Sequence, residues 1–168
     1  MRVTQTTLLL ALTLLLGACG FHLRGQGAFA LPFQTLYIKS ANDYAPFITE
    51  LKHAIKTNGV QITDTPDQAQ LTLHIVSEAV DRQILSLSGG GRVREYLLQY
   101  HVSLRAYDQK QQDWVAAEEI TLRRDFSYND TQILAKEQEE ALLYQNMRSD
   151  AVQQVLRRLN HAKLLQPQ

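Results

Sequence analysis

The clearest pattern in the chain is an alternation: Tyr96, Leu98, Tyr100, Val102, Leu104 and Ala106 occupy one parity, while Glu95, Gln99, His101, Ser103 and Arg105 lie on the other. A period of two predicts a strand with one dry and one wet face. A similar alternation in Leu71, Leu73 and Ile75 drifts through Ala79, Asp81 and Gln83, so a bulge or bend is expected before Leu85 and Leu87. Gly89-Gly90-Gly91 separates the two strands as a hairpin turn, and the polar run Asp108 to Asp113 makes a second turn. Trp114 to Phe126 then returns as a further antiparallel strand, with Trp114, Ala116, Ile120 and Leu122 expected in register. Upstream, Phe33 to Lys39 is a short strand with Leu36 and Ile38 on one face.

Helical spacing occupies the remaining blocks. Asn42-Asp43 offers a cap, Pro46 sits in the first turn, Phe47, Ile48, Leu51 and Ile55 make one apolar face, and Gly59 ends the helix. A helix between two strands implies a βαβ unit and parallel pairing of the first two long strands. Asn129-Asp130-Thr131, with Gln132 at capping-box spacing, is expected to cap a last long helix. Its stripe is Tyr144, Met147, Ala151, Val152, Val155, Leu156 and Leu159. The fold class is therefore α+β over residues 33–168: a mixed four-stranded sheet, a βαβ start followed by antiparallel hairpins, with two helices packed on one face.

The first 18 residues stand apart from this domain. Arg2 precedes Leu8–Leu16, nine residues that would span roughly 14 Å as a helix, too short for a transmembrane anchor and suited to a signal h-region. Leu16-Gly17-Ala18-Cys19 resembles the bacterial lipobox, which makes residues 1–18 a lipoprotein signal peptide, Cys19 the lipid attachment site and residues 19–32 a lipidated tether. Gly20 stands where inner-membrane lipoproteins usually carry aspartate, so delivery to the outer membrane, periplasmic side, is expected. The bland alternative is a secreted protein with a cysteine by chance at its cleavage site.

Charge and chemistry narrow the function classes. Seventeen basic residues balance 17 acidic ones, so no field favours nucleic acid. A single cysteine excludes an internal disulfide and a cysteine-cluster metal site. The triple glycine lacks the Lys-Ser/Thr of a phosphate loop. His22, His53, His74, His101 and His161 have no metal-ligand spacing, and the adjacent pairs Glu118-Glu119 and Glu139-Glu140 point apart. Neither an enzyme, nor a metal, nor a cofactor beyond the covalent lipid at Cys19 is indicated. The informative cations are Arg92 and Arg94, beside the glycine turn and on one face by parity, and Lys136, early in the last helix. Near Leu85 and Leu87 they could grip a phosphate while the aliphatic groups meet acyl chains; a solvated hairpin tip is the competing reading. Of Arg123-Arg124 and Arg157-Arg158, one member each should face solvent, with Glu119 or Asp125 neutralising the first pair.

Cys19-Gly20-Phe21-His22-Leu23-Arg24-Gly25 resembles the opening of the mature LPS-assembly lipoprotein LptE family, and the likeness continues at Glu95-Tyr96 and at Ala135-Lys136-Glu137-Gln138-Glu139. The resemblance implies a non-enzymatic lipoprotein on the inner leaflet of the outer membrane. Such a protein enters the lumen of the LptD β-barrel, aids its assembly and plugs it while lipopolysaccharide passes to the surface. It also implies direct lipopolysaccharide contact, mapped to Lys136 and to Arg92 or Arg94. A neutral domain with a polar sheet face suits a wet barrel interior. The alternatives are another periplasm-facing lipoprotein, such as a barrel-assembly accessory factor, or a lipid carrier, which would need an enclosed apolar pocket.

Overall fold

The computed structural model describes residues 31–162. The signal segment, Cys19 and most of the tether expected from the sequence lie outside them. The strands are β1 (Thr35–Lys39), β2 (Gln61–Ile62), β3 (Leu71–Leu87), β4 (Val93–Tyr107) and β5 (Asp113–Ser127). The helices are α1 (Pro46–Thr57) and α2 (Ile133–Asn160). One mixed sheet has the order β2-β1-β3-β4-β5, with β1 parallel to β2 and β3 and the remaining pairs antiparallel. The sheet thus has five strands, not the expected four; β2 pairs through only Gln61 and Ile62, too short a run to carry a period.

Register explains the dry face. Ile38 opposes Leu73, Leu73 opposes Ala106, Val102 opposes Ile120, and Tyr96 opposes Phe126. These residues share one side of the sheet. Both helices cover that side, α1 through Phe47, Ile48, Leu51 and Ile55, and α2 through Met147, Ala151, Val152, Val155, Leu156 and Leu159. Pro46 takes the first position of α1, where its missing N–H costs nothing. Asn42 does not cap α1 but accepts from the Tyr44 N–H at 3.0 Å, and Ala45 holds the cap position. Gly59 follows at φ +81°, the left-handed conformation that lets the chain leave the helix. Likewise Asn129 caps a single 3₁₀ turn, Asp130–Gln132, through the Thr131 N–H, and α2 begins only at Ile133.

Bulges account for the drifting periods. Val76 and Leu85 are extra residues in β3, so the core parity passes from Leu71, Leu73 and Ile75 to the even positions beyond. In β5 the register slips between Glu118, opposite Leu104, and Val115, opposite Ala106. Val115 therefore turns inward and Ala116 is exposed, against the expectation that Ala116 would continue the row of Ile120 and Leu122.

The two long hairpins close with the same turn. In one, the Gly91 N–H donates to the Ser88 carbonyl and the Ser88 hydroxyl accepts from the Arg92 N–H; in the other, Gln111, Asp108 and Gln112 repeat this pattern. Gly91 sits at φ +75°, and Gln111 at φ +62° must adopt the same left-handed geometry with a Cβ. Gln111→Gly is accordingly expected to stabilise the domain by about 1 kcal/mol, read from urea unfolding midpoints. A midpoint that falls would mean the Gln111 side chain contributes contacts outweighing the strain.

Candidate functional site

Beyond His74 the outer edge of β3 has no strand neighbour among the described residues, because β1 stops at Lys39. The distal half of the β3–β4–β5 hairpins therefore projects past α1, and only α2 follows it. Val76, Val80, Ile84, Leu85 and Leu87 are each more than half exposed there, as is Leu134 on α2. Such a long apolar edge is an unusual feature for a surface that meets only water.

Polar contacts attach α2 to this projecting sheet. Glu140 meets Arg82 at 3.0 Å, the Tyr144 hydroxyl donates to the Asp81 carbonyl at 3.0 Å, and Asp150 meets Arg124 at 2.6 Å. Asp150 is thus the partner of Arg124; Glu119, one of the two neutralisers expected from sequence, instead meets His101. Arg158 pairs with Glu118 at the far end of α2. Tyr100, buried in the core, donates its hydroxyl to Glu78; burial first, then that carboxylate, pushes its ionisation far above the usual tyrosine range, so it remains a donor.

The sequence-identified cations gather at the projecting end, in unequal states. Arg94 and Lys136 line one cleft of about 380 Å³ with Glu95, Ser127, Tyr128, Asn129 and Gln132. Lys136 is held, not waving: its side chain is 14% exposed, and its ammonium donates to Glu139 at 2.8 Å and Ser127 at 3.3 Å. It also lies 5.4 Å from the centroid of Phe126. Arg94 has no ion-pair partner among the described residues. Arg92 is 78% exposed at its side chain and pairs with Asp130 at 3.2 Å, outside the cleft lining. The bulge that places Leu87 opposite Val93 separates Arg92 from the face of Arg94, so the parity argument that joined them does not hold.

An aromatic cluster reaches the cleft through Tyr128. Tyr96 and Phe126 stack at 6.4 Å, Tyr128 meets Tyr96 edge-on at 5.4 Å, and Arg82 lies 4.7 Å over the Tyr96 ring. Sequence reasoning missed Tyr128, Ser127 and Gln132 as site residues; the aromatic Tyr128, two residues beyond Phe126, was the available signal. The site therefore offers one uncompensated guanidinium, a pinned ammonium, hydroxyl and amide donors, and an apolar edge close by. That set suits an anionic amphiphile. Among the described residues no helix is long and apolar enough to cross a membrane, and no cluster of potential metal ligands occurs.

Comparison with known proteins places this arrangement among relatives. Residues 33–159 match the model of the LptE family, described as lipopolysaccharide-assembly. The LPS-assembly lipoprotein LptE of Pectobacterium atrosepticum is 31% identical over 161 residues, covering 95% of this chain and 86% of the relative. That of Yersinia pestis (strain Pestoides F) is also 31% identical, over 95% of this chain and 77% of its own. Two solved structures share the fold. The solution NMR structure of an uncharacterized lipoprotein B from Nitrosomonas europaea has a TM-score of 0.69 at 38% identity, covering 82% of this chain and 88% of that one. The crystal structure of rare lipoprotein B from Shewanella oneidensis has a TM-score of 0.67 at 27% identity, covering 74% and 92%.

Proposed function

Because the chain belongs to the lipopolysaccharide-assembly LptE family, we propose that it is a lipid-anchored, non-enzymatic component of lipopolysaccharide export. In this reading Cys19 carries the acyl chains and holds the domain on the periplasmic side of the outer membrane. The domain enters the lumen of the LptD β-barrel, aids its assembly and plugs it. Arg94 and Lys136, with Arg92 at the rim, meet lipopolysaccharide phosphates. The observation that carries the reading is the projecting hairpin end, where Arg94, without an ion-pair partner among the described residues, lies between the cross-strand partners of Ser86 and Leu87 and the adjoining strand exposes Ile84, Leu85 and Leu87. Phosphate groups beside acyl chains match that juxtaposition, and a barrel wall would cover the unpaired edge of β3. The alternative of a lipid carrier is disfavoured because most apolar side chains of the dry face, from Leu36 to Leu122, are consumed by packing against α1 and α2.

Two measurements test this. Affinity purification of the tagged, lipidated protein from detergent-solubilised outer membranes is expected to recover a stoichiometric large β-barrel; elution alone would overturn the plug. For the ligand, Arg94→Gln is expected to weaken lipopolysaccharide binding about tenfold with an unchanged melting temperature, since Arg94 has no partner to lose. Lys136→Gln should weaken binding similarly but also destabilise by up to about 1 kcal/mol, because its ammonium is bound to Glu139 and Ser127. Unaltered binding in both variants removes the cleft from the proposal.

A further inference from the structure

The opposite end of the sheet, on the face that carries no helix, holds a second cationic group unrelated to the hairpin tip. Lys39 is the cross-strand partner of His74, and His74 is the cross-strand partner of Arg105. Three basic side chains therefore stand side by side on three adjacent strands, on the side away from the buried row Ile38, Leu73 and Ala106. Lys39 and Arg105 carry fixed charges on either side of the His74 imidazole, and Asp113 is the one carboxylate paired with the row. Lys39 and His74 have no hydrogen-bond or ion-pair partner among the described residues. Arg105 shares its charge with Asp113 at 3.0 Å and lies 4.6 Å over the Tyr107 ring.

The next row on the same face is Tyr37, Thr72 and Tyr107, again direct partners across β1, β3 and β4. These three, with Lys39, line an open cleft of about 530 Å³ whose far rim carries Asp67, Asp108, Gln109 and Gln111. We propose that Lys39, His74 and Arg105 form a phosphate site, and that the cleft along Tyr37, Thr72 and Tyr107 takes the polar remainder of a phosphate monoester. The monoester dianion supplies the countercharge that Lys39 lacks, and the Arg105 guanidinium still has donors beyond the one given to Asp113. The two aspartates at the far rim set the polarity of the ligand: anion at the row, hydroxyl or amino groups at the rim.

The titration of His74 agrees with this picture. Partial burial, then Lys39 from β1 and Arg105 from β4, hold it below the ordinary histidine value. Apart from those two, the charged groups of this region are Asp113 on β5, already bound to Arg105, and Asp67 and Asp108 at the cleft rim. A bound dianion reverses the balance and favours the imidazolium.

The test follows the His74 ring by NMR in the full lipidated chain in dodecyl maltoside micelles. Inorganic phosphate and glucose 1-phosphate are titrated against a chloride control, and the micelles are prepared with and without phosphatidic acid. The expected result is a saturable shift of the His74 signals and an upward move of its titration. Lys39→Gln is expected to weaken binding about tenfold while leaving the melting temperature unchanged, since Lys39 is exposed and unpartnered. His74→Gln, followed by calorimetry, should weaken it comparably. A response to the soluble esters alone identifies a free metabolite as the source; a Lys39-dependent response to phosphatidic acid alone identifies a lipid headgroup. No response beyond the chloride control, or a response that survives Lys39→Gln, overturns the site. Because the row lies at the other end of the sheet, loss of lipopolysaccharide binding in Arg94→Gln leaves this result untouched.

Discussion

Phe126→Ala is expected to lower the unfolding free energy by about 3–5 kcal/mol. The ring is 1% exposed and sits near the end of β5, beneath Lys136 of α2 and beside Tyr96 and Tyr128. It stacks on Tyr96, meets Tyr128 at 6.4 Å, and underlies the Lys136 ammonium. Truncation leaves a cavity that the neighbours cannot collapse into, because Tyr96 sits within β4 and the Tyr128 N–H is bonded to the Arg94 carbonyl, so both the transfer and the cavity contributions are incurred. The ammonium of Lys136 simultaneously loses the ring face that accounts for part of its fixed position. Phe126→Leu keeps most of the volume and should cost less, on the order of 1–1.5 kcal/mol. Urea unfolding of the two variants separates these effects. A loss below about 1 kcal/mol for Phe126→Ala would mean that the projecting end of the sheet folds independently of the core beneath it.

How far the sequence reveals this architecture depends on whether a strand is interrupted. The alternation of β4 is legible from Tyr96 to Ala106 because that stretch is the central strand of the hairpin array and is covered on one face only. The α2 stripe is legible for the same reason, and all of its residues from Met147 to Leu159 are buried. Legibility fails where one residue is inserted. Val76 and Leu85 each turn the parity of β3 over, and the slip at Ala116 and Ala117 does the same to β5, so a fixed period misassigns whatever follows. The drift in β3 signalled a bulge, yet the intact look of Trp114, Ala116, Ile120 and Leu122 gave no warning. A two-residue strand such as β2 has no period to detect.

The site shows a similar division. Residue type and proximity to a turn pointed to Arg92, Arg94 and Lys136, and the structure gathers all three at one end. What sequence could not supply was their state. Lys136 is fixed by Ser127, Glu139 and Phe126, which lie 9, 3 and 10 residues away in the chain, and only the last-helix spacing made Glu139 foreseeable. Arg92 is neutralised by Asp130 across 38 residues. Arg94, indistinguishable from Arg92 in sequence, is the one left uncommitted in the cleft. The wet-face row of Lys39, His74 and Arg105 was equally invisible, since three cations on three strands become neighbours only once the register is known.

The other large effect concerns the chain's attachment. Cys19→Ala is expected to release the protein from the outer membrane into the soluble periplasmic fraction while leaving the domain folded. Among the described residues the hydrophobic core runs from Phe33 to Ala162, well clear of the thiol in sequence. In the proposed reading, attachment does depend on it. One acyl chain gives marginal, reversible membrane binding, whereas two or three, at about 0.8 kcal/mol per buried CH₂, hold a protein stably. Nothing among the described residues replaces that anchor, for no helix there can cross a bilayer, and α2 turns its apolar stripe to the sheet. The proposed LptD barrel would retain a fraction of the unlipidated chain, so the variant is best expressed in excess over that barrel and fractionated. Soluble protein with the far-ultraviolet spectrum of the parent confirms that the lipid alone tethers the domain. Sedimentation of the excess with outer membranes would show instead that the exposed edge of β3, with Val80, Ile84 and Leu87, binds the membrane on its own.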